Sequence, residues 1–245
     1  MISKTAEIFL TDRLPFELVN VEQPAPHARR GHADMDMRAV YAAKSSTYKM
    51  VKRSFDIVAS LMALILLSPV FLLTALAIKI FDGGSVIFTQ RRTGVDGKPF
   101  MMYKFRSMVP EAGMMRFNLI QYNELQGPAF KMKNDPRITR VGHFIRRTSI
   151  DELPQLVNIL KGEMSFVGPR PIPFYEYDQC DEYQKQRFMV TPGLTCFWQV
   201  SGRCRVSYDE RIEMDLDYIE QMSVMTGLKL ILRTFGAVVR MTGAY

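Results

Sequence analysis

The longest unbroken feature in the hydropathy pattern is an uncharged run of 22 residues, Ile57 to Ile78. At ~1.5 Å per residue, a helix of that length matches the ~30 Å hydrocarbon core of a bilayer. Ser68-Pro69 lies in the middle of the run. Proline removes a backbone donor and clashes with the preceding turn, so the helix must bend or break there. The Ser68 hydroxyl can serve carbonyls set free by the break. The first leg, Ser54 to Leu67, would reach only about 21 Å at ~1.5 Å per residue. Lys49, Lys52 and Arg53 precede the run, and Lys79, Arg91 and Arg92 follow it. A true span carries its positive excess on one side. The pattern therefore favours a re-entrant helical hairpin over residues 49–82, with its break at Ser68-Pro69 and both ends on one face of a membrane.

Beyond the run, Val86–Gln90 and Phe100–Lys104 flank Asp96-Gly97 and predict a β-hairpin. Glycine, proline and asparagine then punctuate the chain up to Arg147. Helices are predicted over Pro154–Leu160 (stopped by Gly162), Tyr175–Phe188, Tyr208–Met222 and Leu228–Met241. The last places Leu228, Ile231, Leu232, Phe235, Val238 and Val239 on one face and Lys229, Arg233 and Arg240 on another. Such a helix can lie on a membrane surface or face a core. Residues 1–48 hold Pro15, Pro24, Pro26 and many charges without periodicity, which predicts a mostly disordered tail. Ile8-Phe9-Leu10 is too short for the apolar region of a signal peptide. The expected class is α+β, mainly helical, with a hairpin membrane segment and one domain over residues 83–245 carrying a small β-hairpin and amphipathic surface helices.

Charge sharpens this picture. The chain has 245 residues and a net charge of +7. Ser46 to Pro110 holds nine Lys/Arg and three Asp, so +6 of that charge lies around the apolar run. A basic block can face nucleic acid, anionic lipid or a phosphorylated substrate. Here the cations surround an apolar segment rather than interleave with exposed aromatics, which argues against a nucleic-acid partner. Cys180, Cys196 and Cys204 are odd in number and form no CxxC, and His27, His32 and His143 are scattered. Neither a zinc site nor a disulfide framework is expected, and reduced thiols suit a cytosolic domain.

Candidate chemistry centres on Ser149-Ile150-Asp151-Glu152-Leu153-Pro154. Proline suits the first position of a helix, so Asp151 and Glu152 would sit at the positive end of its dipole. That field favours the ionised form needed by a carboxylate nucleophile or metal ligand. Ser149-x-x-Glu152 equally matches a capping box of purely structural meaning. Gly168-Pro169-Arg170-Pro171 presents one arginine on a stiff turn, and arginine binds phosphate in a bidentate way. Lys104, Arg106, Arg146 and Arg203 are further cations near polar turns; a diphosphate or an acidic partner would use several of them.

Taken in order, the motifs resemble one family, the bacterial sugar transferases, or small monotopic phosphoglycosyl transferases. The resemblance runs from Lys52-Arg53-Ser54-Phe55-Asp56 through Ser68-Pro69, Arg92-Thr93-Gly94, Tyr103–Met108, Asp135–Gly142, Arg146–Gln155, Gly162–Pro171 and Pro192–Thr195 to Trp198–Arg203. It implies a polyprenyl-phosphate hexose-1-phosphate transferase of the compact exopolysaccharide-initiating kind. In that reading Asp151 attacks a UDP-sugar (UDP-galactose or UDP-glucose), expels UMP and carries the phospho-sugar to undecaprenyl phosphate. Glu152, with Asp151, would bind Mg²⁺, and Arg146, Arg170, Lys104, Arg106 and Arg203 would hold phosphate oxygens. The resemblance also implies the bacterial cytoplasmic membrane, a catalytic domain on its cytoplasmic side, and downstream glycosyltransferases as partners. A catalytically silent scaffold for polysaccharide assembly is the alternative.

Overall fold

The computed structural model describes residues 32, 35–124, 130, 132–201 and 206–239. The chain is mostly helical with two small sheets. Helix α1, Met37–Ala42, is followed by α2, Ser46–Leu66, and α3, Ser68–Ala77, which runs into a π-helical turn, Ile78–Asp82. Strands β1, Ile87–Thr93, and β2, Pro99–Phe105, form an antiparallel hairpin. Helices α4, Ala112–Leu119, α5, Arg140–Arg147, and α6, Gln155–Lys161, follow. Strand β3, Ser165–Val167, pairs in parallel with β4, Gly193–Thr195. Between them lie the short helices α7, Phe174–Tyr177, and α8, Glu182–Lys185. The chain continues through α9, Phe197–Ser201, α10, Tyr208–Glu220, and α11, Val224–Val239.

The break at Ser68-Pro69 is present. Ser45 caps α2 by accepting from Tyr48 N at 3.1 Å, so the helix starts three residues before the expected boundary. Pro69 opens α3, Ser68 Oγ donates to Ile65 O at 2.8 Å, and the two helices with their π-turn are bent by 58°. No single described helix is long and apolar enough to cross a membrane; this bent pair passes that test only jointly. One face of α2 is polar and anchored. Asp56 accepts from Phe166 N at 3.0 Å and Ser165 Oγ at 3.1 Å, while Lys52 Nζ donates to Val167 O at 3.1 Å. Arg53 donates to Ile159 O at 2.7 Å and Leu160 O at 2.8 Å, adding to the closure of the α6 C-terminus. Met62, Ile65 and Leu66 of α2, Leu72 and Leu73 of α3, and Ile80 and Phe81 of the π-turn are exposed.

The β-hairpin connection is a short turn in which Asp96 and Gly97 take φ of +53° and +75°. Alternate β2 residues Phe100 and Met102 point into a core with Leu156, Ile159 and Met164. Asn158 of α6 ties that layer together: its carbonyl accepts from Tyr103 N at 3.0 Å and its amide donates to Met101 O at 2.7 Å. A second core unites Met37, Val167, Val190, Ile212, Leu216, Ile219 and Leu230.

Several expectations need correction. Within residues 1–48, expected as a mostly disordered tail, Met37–Ala42 forms α1, with Asp36 as its cap and Met37 fully buried in the second core. The long polar helix over Tyr175–Phe188 is two short helices, because Asp181 forms a new capping box with Gln184. Helix α5, in the region read as irregular, is capped by Thr139 Oγ1, which accepts from Gly142 N at 2.8 Å. The final helix starts earlier, at Val224, and its predicted apolar face stays largely outside: Leu228, Leu232 and Phe235 are exposed while Leu230 is buried. Cys180 and Cys196 are buried free thiols.

Candidate active site

The chain from α5 to α6 is built to present two adjacent carboxylates in different ways. After Arg147, Ser149 takes φ +60°, a left-handed conformation that costs a non-glycine residue energy. That residue turns the chain sharply into a 3₁₀ turn, Ile150–Glu152. The capping box does not form, since the Ser149 side chain makes no capping bond and Pro154 immediately precedes α6 rather than opening it. Glu152 has other partners. Its Oε1 accepts from Lys104 Nζ at 2.8 Å and from Arg170 Nη2, and its Oε2 lies 3.4 Å from Arg170 Nη1. Lys104 comes from β2 and Arg170 from the loop after β3, so three separate elements converge on one carboxylate.

Asp151 is different. It is buried, yet it accepts no hydrogen bond among the described residues. Burial pushes its pKa up to about 6; Lys104, Arg146 and Arg170 oppose that rise, and the neighbouring Glu152 charge adds to it. Burial also acts to raise the pKa of Glu152, but Arg170 and Lys104 prevail and hold it well below the usual carboxylate range. Two adjacent acids are thus driven apart, a division of roles typical of catalytic carboxylates.

The predicted cations fall into three groups. Lys104 and Arg170 join Glu152 directly. Arg146, in the last turn of α5, is half-buried, makes no ion pair among the described residues, and is close enough to lower the pKa of Asp151. Arg106 is engaged elsewhere: it donates to the Asp82 and Gly83 carbonyls and so closes the C-terminal end of the π-turn. Arg203 lies outside the described residues. Ser68 and Pro69 form the helix break.

The sequence reading missed the layer behind Arg170. Arg187 donates to Arg170 O at 2.9 Å and pairs with Asp215 at 2.5 Å; Asp215 is fully buried and Arg187 nearly so. Arg92 donates to Pro171 O at 3.0 Å on the other side of the loop. Burial lowers the Arg92 pKa to about 10, with Glu176 countering. In the sequence Arg187 follows Lys185 and Gln186 in a polar stretch, so nothing there singled it out. Gly168 and Gly193 let their two segments touch, because a Cβ on Gly193 would lie 2.0 Å from Gly168 N.

A cluster of one unengaged carboxylate, one locked carboxylate and three cations is suited to a phosphorylated substrate. The sequence model of the bacterial sugar transferase family matches residues 47–241, and the chain belongs to that family. It is 42% identical over 199 residues to galactosyl transferase CpsE of Streptococcus agalactiae, covering 81% of this chain and 44% of that protein. It is 45% identical over 203 residues to the undecaprenyl-phosphate galactose phosphotransferase of Salmonella typhimurium, covering 80% and 42%. Exopolysaccharide production protein ExoY of Rhizobium meliloti is 42% identical over 201 residues, covering 80% of this chain and 88% of ExoY. The chain thus spans about half the length of some relatives and most of others.

Proposed function

We propose that the protein transfers a hexose-1-phosphate from a UDP-sugar to undecaprenyl phosphate, through a covalent intermediate on Asp151. The observation that carries this reading is the contrast between Glu152, held by Lys104 and Arg170, and Asp151, buried beside the same cations without a hydrogen bond among the described residues. A carboxylate with no other bond to make keeps its lone pairs for attack.

In the proposed first step an Asp151 oxygen bonds to the β-phosphorus of the UDP-sugar. The bond from that phosphorus to the bridging oxygen breaks, and UMP leaves. In the second, an oxygen of undecaprenyl phosphate attacks the same phosphorus and the Asp151–phosphorus bond breaks, restoring the carboxylate. Arg170, Lys104 and Arg146 neutralise charge on the non-bridging oxygens, the main demand of phosphoryl transfer. Splitting the transfer means the water-soluble donor and the lipid acceptor need not be bound together.

Mg²⁺ fits the donor set, because Asp151 offers free carboxylate oxygens and Glu152 Oε2 has only a long contact, both hard ligands. These two residues would hold the ion, which would add positive charge to the phosphate site. Galactose or glucose is the proposed sugar, on the strength of the relatives' names. The exposed apolar faces of α2, α3 and α11 support a re-entrant hairpin in the cytoplasmic membrane, with α11 on the bilayer surface and the cleft on the cytoplasmic side. Enzymes that extend the lipid-linked sugar would act next on the product.

The test is a UMP-release assay with UDP-hexose, Mg²⁺ and polyprenyl phosphate, together with mass analysis of enzyme quenched without acceptor. A hexose-phosphate on Asp151 is expected. Full turnover by Asp151→Asn would overturn the covalent role.

A further inference from the structure

A cavity of about 200 Å³ opens on the polar face of α2, away from the two adjacent carboxylates. Tyr41 of α1, Lys49, Lys52 and Arg53 of α2, and Gly162 and Thr191 behind them are among its lining residues. Gly162 ends α6, whereas Asp151 precedes that helix. The helical path between them is roughly 16 Å at ~1.5 Å per residue.

The charges around this cavity do not balance. Asp56 is its one lining acid, and it is already engaged. Its Oδ2 lies 3.6 Å from Lys52 Nζ, and its Oδ1 accepts from Ser165 Oγ and Phe166 N. Lys52 in turn is committed to Asp56, Ser165 Oγ and Val167 O. Lys49 and Arg53 have only neutral partners. Lys49 Nζ reaches Ala42 O at 3.2 Å and lies 4.7 Å from the centroid of the Tyr41 ring. Arg53 gives one bond from each terminal nitrogen to the Ile159 and Leu160 carbonyls, so further N–H donors of its guanidinium remain. Both cations are half-buried, and neither makes an ion pair among the described residues. A charge partly removed from water without a counter-charge is unfavourable, and an incoming anion relieves that.

The same stretch of α2 is also apolar. Met50, Val51, Phe55 and Val58, interleaved with these cations along the helix, are exposed. An occupant that meets both features is an amphiphile, with an anionic group for Lys49 and Arg53 and hydrocarbon for the neighbouring side chains.

We propose that the cavity holds the headgroup phosphate of an anionic phospholipid, whose acyl chains run along the exposed side chains of α2. Arg53 offers phosphate oxygens directed N–H donors, and Lys49 adds a point charge. The surplus of positive charge favours a headgroup that carries no ammonium of its own. Seated there, the lipid braces the foot of the membrane hairpin against α1 and the end of α6. It is not the acceptor, because its phosphate lies too far from Asp151 to react. The inference rests on the membrane reading of α2 and α3 and is independent of the chemistry proposed at Asp151.

The test is native mass spectrometry of the full chain in neutral detergent, with phosphatidylglycerol or phosphatidylcholine added. One phosphatidylglycerol per chain should be retained in preference to phosphatidylcholine; equal retention overturns the assignment. Lys49→Gln should weaken retention roughly 10- to 100-fold. Asp151→Asn should retain the lipid as the unaltered chain does. So should Lys98→Gln, an equal loss of charge at an exposed position beside the β-hairpin turn. Equal weakening by Lys98→Gln means diffuse attraction only and overturns the site. Glycerophosphoglycerol, the same diester without acyl chains, should displace the lipid only at far higher concentration. Displacement at matched concentration means a site for free phosphate esters and overturns the lipid assignment. Flotation with vesicles checks the premise. A chain that floats but retains no phosphatidylglycerol sinks this inference alone; one that does not float sinks the hairpin reading and this inference with it.

Discussion

Two ionic centres stand back to back across the Arg170 loop, and they are built on opposite terms. Behind the loop, Arg187 and Asp215 form a one-to-one pair with side chains 3% and 0% exposed. In front, Glu152 faces two cations, with Glu152 18% and Arg170 27% exposed. The sealed pair is shut off from solvent. The open centre carries surplus positive charge and admits solvent, which is what an incoming diphosphate requires. The single hydrogen bond from Arg187 to Arg170 O joins them, so the rear pair fixes the backbone from which the front one reaches.

Breaking the front centre should have the largest effect. Asp151→Asn should lower UMP release on the order of 10³-fold or more, measured under single-turnover conditions. Arg170→Lys should cost roughly 10²-fold in kcat, because the two-pronged contact is lost while the charge stays. Breaking the rear centre should show in folding first: Arg187→Met strands a buried carboxylate and should lower unfolding free energy by about 3–5 kcal/mol in urea titrations. The double variant Arg187→Met/Asp215→Leu should recover most of that stability yet remain slower than the parent, since the Arg170 carbonyl has lost its anchor.

The smallest effect concerns pH. The Asp151 pKa is raised to about 6, above the ordinary aspartate range, so the folded protein holds this proton more tightly than the unfolded chain does. Its contribution to stability is full below about pH 4 and lost as pH rises through about 6. Asp151→Asn should therefore melt higher than the parent at pH 8, with the gain vanishing near pH 4. Activity should follow the reverse course, falling as pH drops through about 6, because attack needs the ionised form.

Much of the scaffold was legible along the chain. The apolar run with its Ser-Pro break and the Asp-Gly turn are local signals, and each produced its element where the pattern put it. Helix α5 was missed because its cap, Thr139, follows Asp135-Pro136, and glycine at 142 argued against a helix; that glycine is required by a Ser107 carbonyl that would lie 2.0 Å from a Cβ. Within the site, Asp151, Glu152 and Arg170 were identified by type and motif, but their division of labour was not. Lys104 and Glu152 are 48 residues apart, and only folding shows which acid the cations hold. Arg106 illustrates the limit of charge counting, since its guanidinium closes a helix end. Arg187 and Asp215 were invisible because a buried ion pair leaves no periodic trace.

The polar face of α2 has a practical consequence for handling the protein. Asp56 caps the start of β3, and Arg53 finishes α6, the helix that follows the reactive turn. A truncation that begins after residue 82 would discard both, removing these partners from the Phe166 amide and the Leu160 carbonyl. A working preparation should therefore retain α2.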